Sequence, residues 1–191
     1  MEPRDKDWLD RYRGGEVAAL GEMMEHYRRP LFGFILKMTE GRDEAEDIFQ
    51  EVWMRAIRHL DSFKDRRFLS WLFRIAHNLI IDRARKRKPD YRLEDQLDGQ
   101  RSWEDTTAAG GRDPAQQAGD ADVSRLIQAA VERLPLNQKS VFLMRMNTEL
   151  TFREIAAIQG VSINTALARM QYALDKLRAE LRGEYAALAK G

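Results

Sequence analysis

The chain has 191 residues, a formal net charge of +1 and no cysteine. The lack of cysteine excludes disulfides and thiolate metal sites, and the 3 histidines lie far apart in the sequence, so no metal site is expected. No apolar run reaches the roughly 18 residues that span a bilayer, and the charged N-terminal stretch lacks the apolar core of a signal peptide, so we expect a cytoplasmic protein without membrane insertion.

Helical periodicity dominates the chain, and no convincing alternating strand pattern is present. Residues 16–28 fit a first helix. Pro30 predicts that the chain restarts there, because proline is tolerated in the first turn of a helix and not in its interior. Residues 31–38 then form a second, strongly apolar helix, which Gly41 breaks.

The next predicted helix covers residues 43–60. Asp43 followed by Glu46 fits a capping box at its start. Apolar side chains recur at helical spacing along one face; they are Ala45, Ile48, Phe49, Val52, Trp53, Ala56, Ile57 and Leu60. With that face buried, the side chains expected to face outward are Asp47, Gln50, Glu51, Met54 and Arg55.

A short polar loop, residues 61–67, leads to a helix predicted from Phe68 to about Arg85. Phe68 and Trp71 fall on its apolar stripe, so we interpret both as core residues and not as exposed wedges. The helix runs into a basic segment, RARKRK at 83–88, and Pro89 ends it.

Residues 90–122 are rich in Asp, Glu, Gly and Gln and poor in large apolar side chains. Such a composition cannot bury enough surface to offset the loss of chain entropy, so a disordered or extended acidic linker is predicted. A loop of this length also indicates a domain boundary. The sequence therefore predicts an all-α protein of two small helical domains, 1–89 and 123–191, joined by this linker.

The second domain is predicted to contain a helix-turn-helix. One helix precedes Pro135 and another follows it. Thr151 and Glu154 then fit a capping box, Gly160 suits a left-handed cap, and Ser162 can cap a second helix. Buried positions on that second helix are Ala166, Met170, Ala173, Leu174 and Leu177, and outward positions are Thr165, Leu167, Ala168, Arg169 and Tyr172.

A glycine-containing turn between two short helices is typical of a DNA-binding motif whose second helix enters the major groove. An ordinary helical hairpin in an all-α domain is the alternative. The charge distribution favours a polyanionic partner, because the basic segment at 83–88 is separated from the acidic residues of the linker.

The order of four segments resembles an extracytoplasmic-function sigma factor of bacterial RNA polymerase, of the sigma-70 family. The segments are DEAEDIFQEVW (43–53), SWLFRIAHNLIIDRARKRK (70–88), LPLNQKSVFLMRM (134–146) and TFREIAAIQGVSINTALARM (151–170). The resemblance implies a region 2 domain at 1–89, a region 4 domain at 123–191 and an alternative sigma factor. Such a subunit binds core RNA polymerase, recognises the −10 and −35 promoter elements and directs transcription initiation.

The resemblance also implies roles for residues. Core-polymerase binding would use Asp47, Gln50, Glu51, Met54 and Arg55, although a merely solvated helix face remains the alternative. Binding of −10 DNA would use Lys64, Asp65, Arg66, Arg67, Asn78, Arg83, Arg85, Lys86, Arg87 and Lys88. Binding of −35 DNA would use Arg153, Thr165, Leu167, Ala168, Arg169 and Tyr172. The linker would run through the RNA-exit channel or serve as an inert spacer, and an anti-sigma factor is an expected partner.

The chain departs from the family pattern in the recognition helix. It reads VSINTALAR at 161–169, with Asn164 where glycine is common and Leu167 where lysine is common. The loss of that lysine removes a donor to phosphate or base, so the −35 preference is left open.

Two other functions are alternatives. A stand-alone helix-turn-helix regulator would bind duplex DNA without polymerase. An enzyme is disfavoured, because the sequence shows no clustered carboxylates with metal-binding spacing, no nucleophile–base arrangement and no Gly-rich phosphate loop. We therefore expect no catalytic residues, no cofactor and no small-molecule substrate.

Overall fold

The computed structural model describes residues 3–63, 67–87 and 120–188, and over these ranges the chain is α-helical without strands. The first half contains α1 (Pro3–Arg13), α2 (Ala18–Met38), α3 (Arg42–Arg58), a 3₁₀ turn (Leu60–Ser62) and α4 (Phe68–Arg87). The second half contains α5 (Asp120–Glu132), α6 (Leu136–Asn147), α7 (Phe152–Gln159) and α8 (Ile163–Leu188). The all-α prediction is confirmed. The linker predicted at 90–122 lies outside the described residues as far as residue 119, and its last residues, 120–122, are helical and belong to α5.

Helix α1 has no counterpart among the predicted helices, because its sequence is strongly charged. Trp8 and Leu9 of α1 are buried in the core of the first half. Tyr27 of α2 donates a hydrogen bond to the buried carboxylate of Asp5. Trp8 Nε1 also donates to Glu22 at 2.9 Å. The helix is therefore stabilised by contacts with α2 and not by an apolar stripe of its own.

Pro30 does not restart the chain: α2 runs through it without interruption, so the prediction of two helices was wrong. The residues on both sides of Pro30 share one buried face, at a spacing of three and four; they are Ala19, Met23, Tyr27, Leu31, Phe34, Ile35 and Met38. Burial of this continuous stripe outweighs the cost of a proline in a helix interior, about 3 kcal/mol.

The start of α3 also differs from its prediction. Gly41 is the N-cap residue, in an extended conformation, and no side chain makes a capping hydrogen bond. The capping box predicted for Asp43 and Glu46 was therefore wrong. Asp43 lies in the first turn, where its charge complements the helix dipole. The apolar stripe of α3 is buried as predicted, except that Phe49 is half-buried and Ile57 is 37% exposed.

The structure confirms the caps and the turn predicted for the helix-turn-helix. Thr151 Oγ1 accepts from the Glu154 backbone N–H at 3.3 Å, and Glu154 Oε2 accepts from the Thr151 backbone N–H at 2.8 Å. Gly160 adopts the left-handed conformation, with φ 68° and ψ 32°, and so ends α7. Ser162 Oγ accepts from the Thr165 N–H at 3.0 Å and so caps α8. Of the α8 positions predicted to be buried, Ala166, Ala173 and Leu177 are buried, whereas Met170 and Leu174 are half-buried.

The two halves pack against each other through α2 with α6 and through α4 with α7. Ser140 of α6 and His77 of α4 are both buried at this contact, and Ser140 Oγ lies 3.1 Å from His77 Nδ1. The core is continuous across the contact. Among the described helices none has an apolar stretch long enough to cross a membrane.

Candidate nucleic-acid and polymerase interfaces

The outward face of α3 is arranged as predicted. Asp47, Gln50, Met54 and Arg55 are exposed and Glu51 is half-buried. Arg55 donates from Nη2 to Glu51 Oε1 at 2.8 Å and from Nε to the same oxygen at 3.0 Å. The face thus presents a carboxylate at Asp47, an amide at Gln50 and the exposed thioether of Met54. Carboxylate and apolar groups side by side suit a basic protein partner with apolar contacts at its centre.

The C-terminal end of α4 carries most of the described basic residues assigned to −10 DNA. Arg85, Lys86 and Arg87 are exposed and Arg83 is half-buried. Arg87 pairs with Glu44 at 2.9 Å and with Glu40 at 3.5 Å, so its charge is partly neutralised by the start of α3. Lys64, Asp65, Arg66 and Lys88, also assigned to −10 DNA, lie outside the described residues.

Arg67 belongs to the predicted −10 loop and contacts the second half of the chain. Its Nη1 donates to the backbone carbonyl of Glu149 at 3.2 Å. Its guanidinium also lies 3.6 Å from Glu154 Oε2 and 3.8 Å from Glu149 Oε2. The structure therefore places carboxylates of the second half against this arginine.

Glu154 joins the two halves as well as capping α7. Ser70, in the first turn of α4, donates from Oγ to Glu154 Oε1 at 3.0 Å. Burial acts to raise the pKa of Glu154, but hydrogen bonds from Thr151 and Ser70 and the charge of Arg67 outweigh it, so the pKa lies below its ordinary value. The carboxylate is thus held in its charged form at this contact.

Arg169 does not lie on the outward side of α8, so that prediction was wrong. Its side chain is 4% exposed, and its Nη1 donates to Gln159 Oε1 at 3.1 Å. Arg169 lies at the edge of the face that Ala166 and Ala173 bury, in the cleft between α8 and α4, and its neighbours there enclose its side chain. The other −35 candidates remain accessible: Arg153 is exposed, and Thr165, Leu167, Ala168 and Tyr172 are half-buried.

A cleft of about 490 Å³ lies between α4, the start of α6 and the turn of the helix-turn-helix. Asn78 and Arg85 line it from α4, and Thr165 and Arg169 line it from α8. Gln159 lies between the two sides and donates from Nε2 to the Asn137 carbonyl at 3.0 Å. The cleft therefore brings residues assigned to −10 DNA together with residues assigned to −35 DNA.

Three polar residues of this region were missed by the sequence analysis as functional candidates: Ser70, His77 and Gln159. Ser70 and His77 contact the second half, at residues 84 and 63 positions away in the sequence. Gln159 contacts Asn137 within the second half. All three contacts depend on the packing of helices. No local pattern reports such pairs. Within the described part of the chain no group of three or more metal-ligating side chains lies together.

Comparison with known proteins agrees with this architecture. The sequence model of Sigma-70 region 2 matches residues 23–89, and that of Sigma-70 region 4 matches residues 124–177. The first match covers α3, α4 and most of α2. The second covers α6 and α7 with most of α5 and much of α8.

Relatives match over most of their own length. The ECF RNA polymerase sigma factor SigW of Bacillus subtilis is 32% identical over 185 residues, covering 95% of this chain and 99% of its own. The ECF sigma factor RpoE of Cereibacter sphaeroides is 29% identical, covering 90% and 93%.

Two solved structures have a similar fold. One is the sigma factor RpoE bound to the anti-sigma factor NepR from Bartonella quintana, with a TM-score of 0.63 and 21% identity, covering 85% of this chain and 96% of that one. The other is CnrH bound to the cytosolic domain of CnrY, with a TM-score of 0.66 and 21% identity, covering 95% and 99%. Two region models in the right order and a relative that matches end to end lead to one conclusion: the chain belongs to the extracytoplasmic-function sigma factors of RNA polymerase.

Proposed function

We propose that this chain is an alternative sigma factor whose first half, 1–89, binds core polymerase and the −10 element and whose second half, 123–191, binds the −35 element. The observation that carries the proposal is the match to SigW over 95% of the chain, which includes both regions in order. The sigma-factor family acts as promoter-specificity subunits, so catalysis of RNA synthesis would come from the core enzyme alone.

Docking on core polymerase would use the outward face of α3. Its support is the exposure of Asp47 and Gln50 beside the 54% exposed Met54, a combination that a purely solvated face does not need. Exposed carboxylates would accelerate encounter with a basic surface, and Met54 would supply apolar contact once the complex forms.

Promoter binding would use the two basic surfaces. Arg83, Arg85, Lys86 and Arg87 on α4 would neutralise phosphates of −10 DNA, with Asn78 on the same helix reading bases. Arg153 would hold a phosphate beside the −35 element, while Arg169 would read it. Each neutralised phosphate releases counterions, so promoter affinity should fall as salt concentration rises.

An anti-sigma factor is the expected regulatory partner. The solved structures of similar fold are complexes of sigma factors with anti-sigma factors. The same partner on this chain would cover the α3 face or the DNA-binding surfaces. Action in the cytoplasm, where RNA polymerase works on the chromosome, is part of the same proposal.

In vitro transcription tests the proposal. The purified chain is added to core RNA polymerase on a genomic library, and the transcript starts are mapped. We expect starts that depend on the chain and share two upstream elements. A chain that binds duplex DNA alone, without recruiting core polymerase to any start, would instead be a stand-alone regulator.

Charge reversal tests the α3 face. Asp47→Lys with Glu51→Lys should abolish co-elution with core polymerase while leaving helical circular dichroism unchanged. The control is Glu132→Lys with Asp175→Lys, which reverses two exposed carboxylates on helices of the second half. Loss of co-elution in both variants would contradict a specific role for α3.

Arginine variants distinguish a contact with a base from a contact with a phosphate. Arg169→Ala should cost about 1–3 kcal/mol on the mapped promoter and much less on a promoter with an altered −35 element. Arg153→Ala should weaken binding to both promoters equally. Equal losses for Arg169→Ala on the two promoters would show that it makes no base-specific contact.

A further inference from the structure

Helix α8 carries a stripe of side chains along the side that faces away from α6 and α7. The stripe begins at Asn164 and continues, at a spacing of three and four residues, through Leu167, Gln171, Asp175 and Arg178. Leu167 is half-buried and the other members are exposed. In a helix-turn-helix the second helix enters the major groove with the side that its own domain leaves uncovered. We call this set the exposed stripe of α8.

The exposed stripe of α8 needs a polar side chain that can recognise a base. Leu167 and Ala168, the −35 candidates on this side, have no hydrogen-bonding side chain, and Arg169 is 4% exposed on another side of the helix. Sequence-specific contacts in the major groove are made largely by hydrogen bonds to base edges. The side-chain amides of Asn164 and Gln171 can make them, although neither residue is among the −35 candidates assigned from the sequence.

The amide of Gln171 is held in one orientation by its neighbour on the stripe. Gln171 Nε2 donates to Asp175 Oδ1 at 3.1 Å, and the same oxygen accepts from Arg178 Nη1 at 3.2 Å. A carboxylate accepts hydrogen bonds and donates none, so the amide must turn its nitrogen towards Asp175. Among the described residues none donates to Gln171 Oε1, so this oxygen is available to a ligand.

An amide held in this way matches adenine and not guanine. Nε2 has two hydrogens, of which Asp175 takes one, so Gln171 is left with one donor and one acceptor. Adenine has an acceptor at N7 and a donor at N6 in the major groove, and both groups would be satisfied. Guanine has acceptors at N7 and O6, so Gln171 Oε1 would face a second acceptor. An amide released from Asp175 can turn both of its hydrogens towards guanine.

The position of Gln171 along α8 allows it to contact bases together with the start of the helix. Asn164 and Gln171 are seven residues apart, which is about 10 Å along the helix axis. This distance corresponds to about three base pairs at ~3.4 Å each. Arg178 lies beside the Asp175 carboxylate and partly neutralises it, which reduces its repulsion of nearby phosphates.

We propose that Gln171 selects an adenine in the −35 element, and that Asp175 is a positioning residue that holds the Gln171 amide in the orientation adenine requires. The proposal rests on the −35 role proposed above for the second half of the chain. It adds to that role a contact residue, the base that this residue selects and the origin of the selectivity.

Selection of promoters tests the contact. The chain is combined with core polymerase and transcribes a library in which the −35 element of a mapped promoter is randomised. One position should favour adenine over guanine about tenfold, and Gln171→Ala should remove the preference at that position alone. The control is Gln128→Ala, the same change at an exposed glutamine of α5, which should match wild type. Unchanged preferences in Gln171→Ala, or equal losses at all positions, would overturn the proposal.

Variants of Asp175 test its positioning role. In Asp175→Asn the new amide can also donate to Gln171 Oε1, so both orientations of Gln171 are allowed and the ratio of adenine to guanine should fall about twofold. Asp175→Glu keeps a carboxylate one turn from Gln171 and should retain the ratio. The ratio is insensitive to the lost charge, which changes binding to all sequences alike. A ratio that Asp175→Asn leaves unchanged, or that falls equally in both variants, would show that Asp175 does not position Gln171.

Base analogues test the two hydrogen bonds separately. At the selected position, 7-deazaadenine lacks the N7 acceptor and purine lacks the N6 amino group. Each should weaken promoter binding by wild-type holoenzyme, and neither should weaken it further in Gln171→Ala. Equal losses in the two proteins would assign the contact to another residue and overturn the proposal.

The outcomes distinguish this inference from the proposed function. A wild-type chain that starts no transcription, or that shows no base preference anywhere in the −35 element, would overturn the −35 role and this inference with it. A clear −35 preference that Gln171→Ala retains would overturn the inference and leave the proposed function intact.

Discussion

The two halves of the chain bury different kinds of side chain. The described core of the first half is rich in aromatic rings: Trp8, Tyr27, Phe34, Trp53, Phe63, Phe68 and Phe73 are all buried. The described core of the second half is aliphatic and smaller, built from residues such as Leu134, Ile155 and Ala166, while Phe142 and Phe152 are half-buried. Close packing of α7 and the start of α8 around a tight turn requires small side chains, whereas the long helices α2, α3 and α4 leave space for rings.

The difference indicates which interactions stabilise each half. Rings bury large areas and form favourable tilted or edge-to-face pairs, which stabilises the packing of the first half. The second half relies more on backbone capping at Thr151, Gly160 and Ser162, whose individual contributions are small. We therefore expect substitutions in the first core to cost more than substitutions in the second.

Phe68→Ala should have the largest effect. Phe68 is fully buried, and its ring lies within 5.3–6.2 Å of the rings of Phe63, Tyr27, Trp71 and Trp53. Its removal should lower the free energy of unfolding by about 3–5 kcal/mol. Tryptophan fluorescence during urea unfolding measures this, since Trp53 and Trp71 adjoin the site. Phe152→Ala, at a half-buried ring of the second half, should cost clearly less; an equal cost would contradict the comparison.

The same substitution should have opposite signs at two glycines. Gly160 has φ +68°, so Gly160→Ala should cost about 1–2 kcal/mol through backbone strain alone, because an added Cβ meets no atom within 4 Å. Gly33 lies inside α2 with open space around it, so Gly33→Ala should stabilise by about 0.5–1 kcal/mol. Thermal unfolding of both variants checks the signs, and destabilisation by Gly33→Ala would contradict the open space around that position.

Loss of the cap on α7 should have a smaller effect. Thr151→Ala removes the side chain that accepts from the Glu154 N–H, which should destabilise the second half by about 1 kcal/mol. Thr151→Ser keeps the hydroxyl and serves as the control. Hydrogen exchange of amides in α7 measures the effect; if serine and alanine behave alike, the hydroxyl has no capping role.

Acid should weaken the α1–α2 contact of the first half. Hydrogen bonds from Arg11 and Trp8 lower the pKa of Glu22 to about 2, from an ordinary value of 4.5. Because the folded-state pKa is depressed, the stability from these bonds is present above pH 4.5 and is lost as pH falls towards 2. Unfolding measured across this range should show the slope in wild type and a smaller slope in Glu22→Gln.

Local sequence patterns predicted the helices that carry an apolar stripe or a recognisable cap. The helix-turn-helix was predicted down to its hydrogen bonds, since Thr151, Glu154, Gly160 and Ser162 act within a few residues of one another. The outward face of α3 was likewise predicted, because burial of one stripe leaves the opposite side exposed. Such features depend on spacing along the chain.

The failures occurred where distant packing decided the outcome. Pro30 is tolerated because α2 buries one stripe on both sides of it, and Asp43 is not a cap because Gly41 begins the helix. The missed α1 depends on contacts with Tyr27 and Glu22. Arg169 lies at an edge of the buried face, and only the neighbouring α4 and Gln159 enclose it.

The amino-acid sequence by itself determined that the chain is helical and which faces of its helices are apolar. It also determined the resemblance to the sigma factors. These properties depend on residues that lie close together along the chain. Only the tertiary structure decided that the two halves meet through Glu154, Ser70 and Arg67, and that Arg169 is enclosed. The physical reason is that the contacts between the halves are weak polar interactions between residues far apart in sequence, which form only after packing of the apolar faces has brought them together, and that the same packing brings α4 beside Arg169.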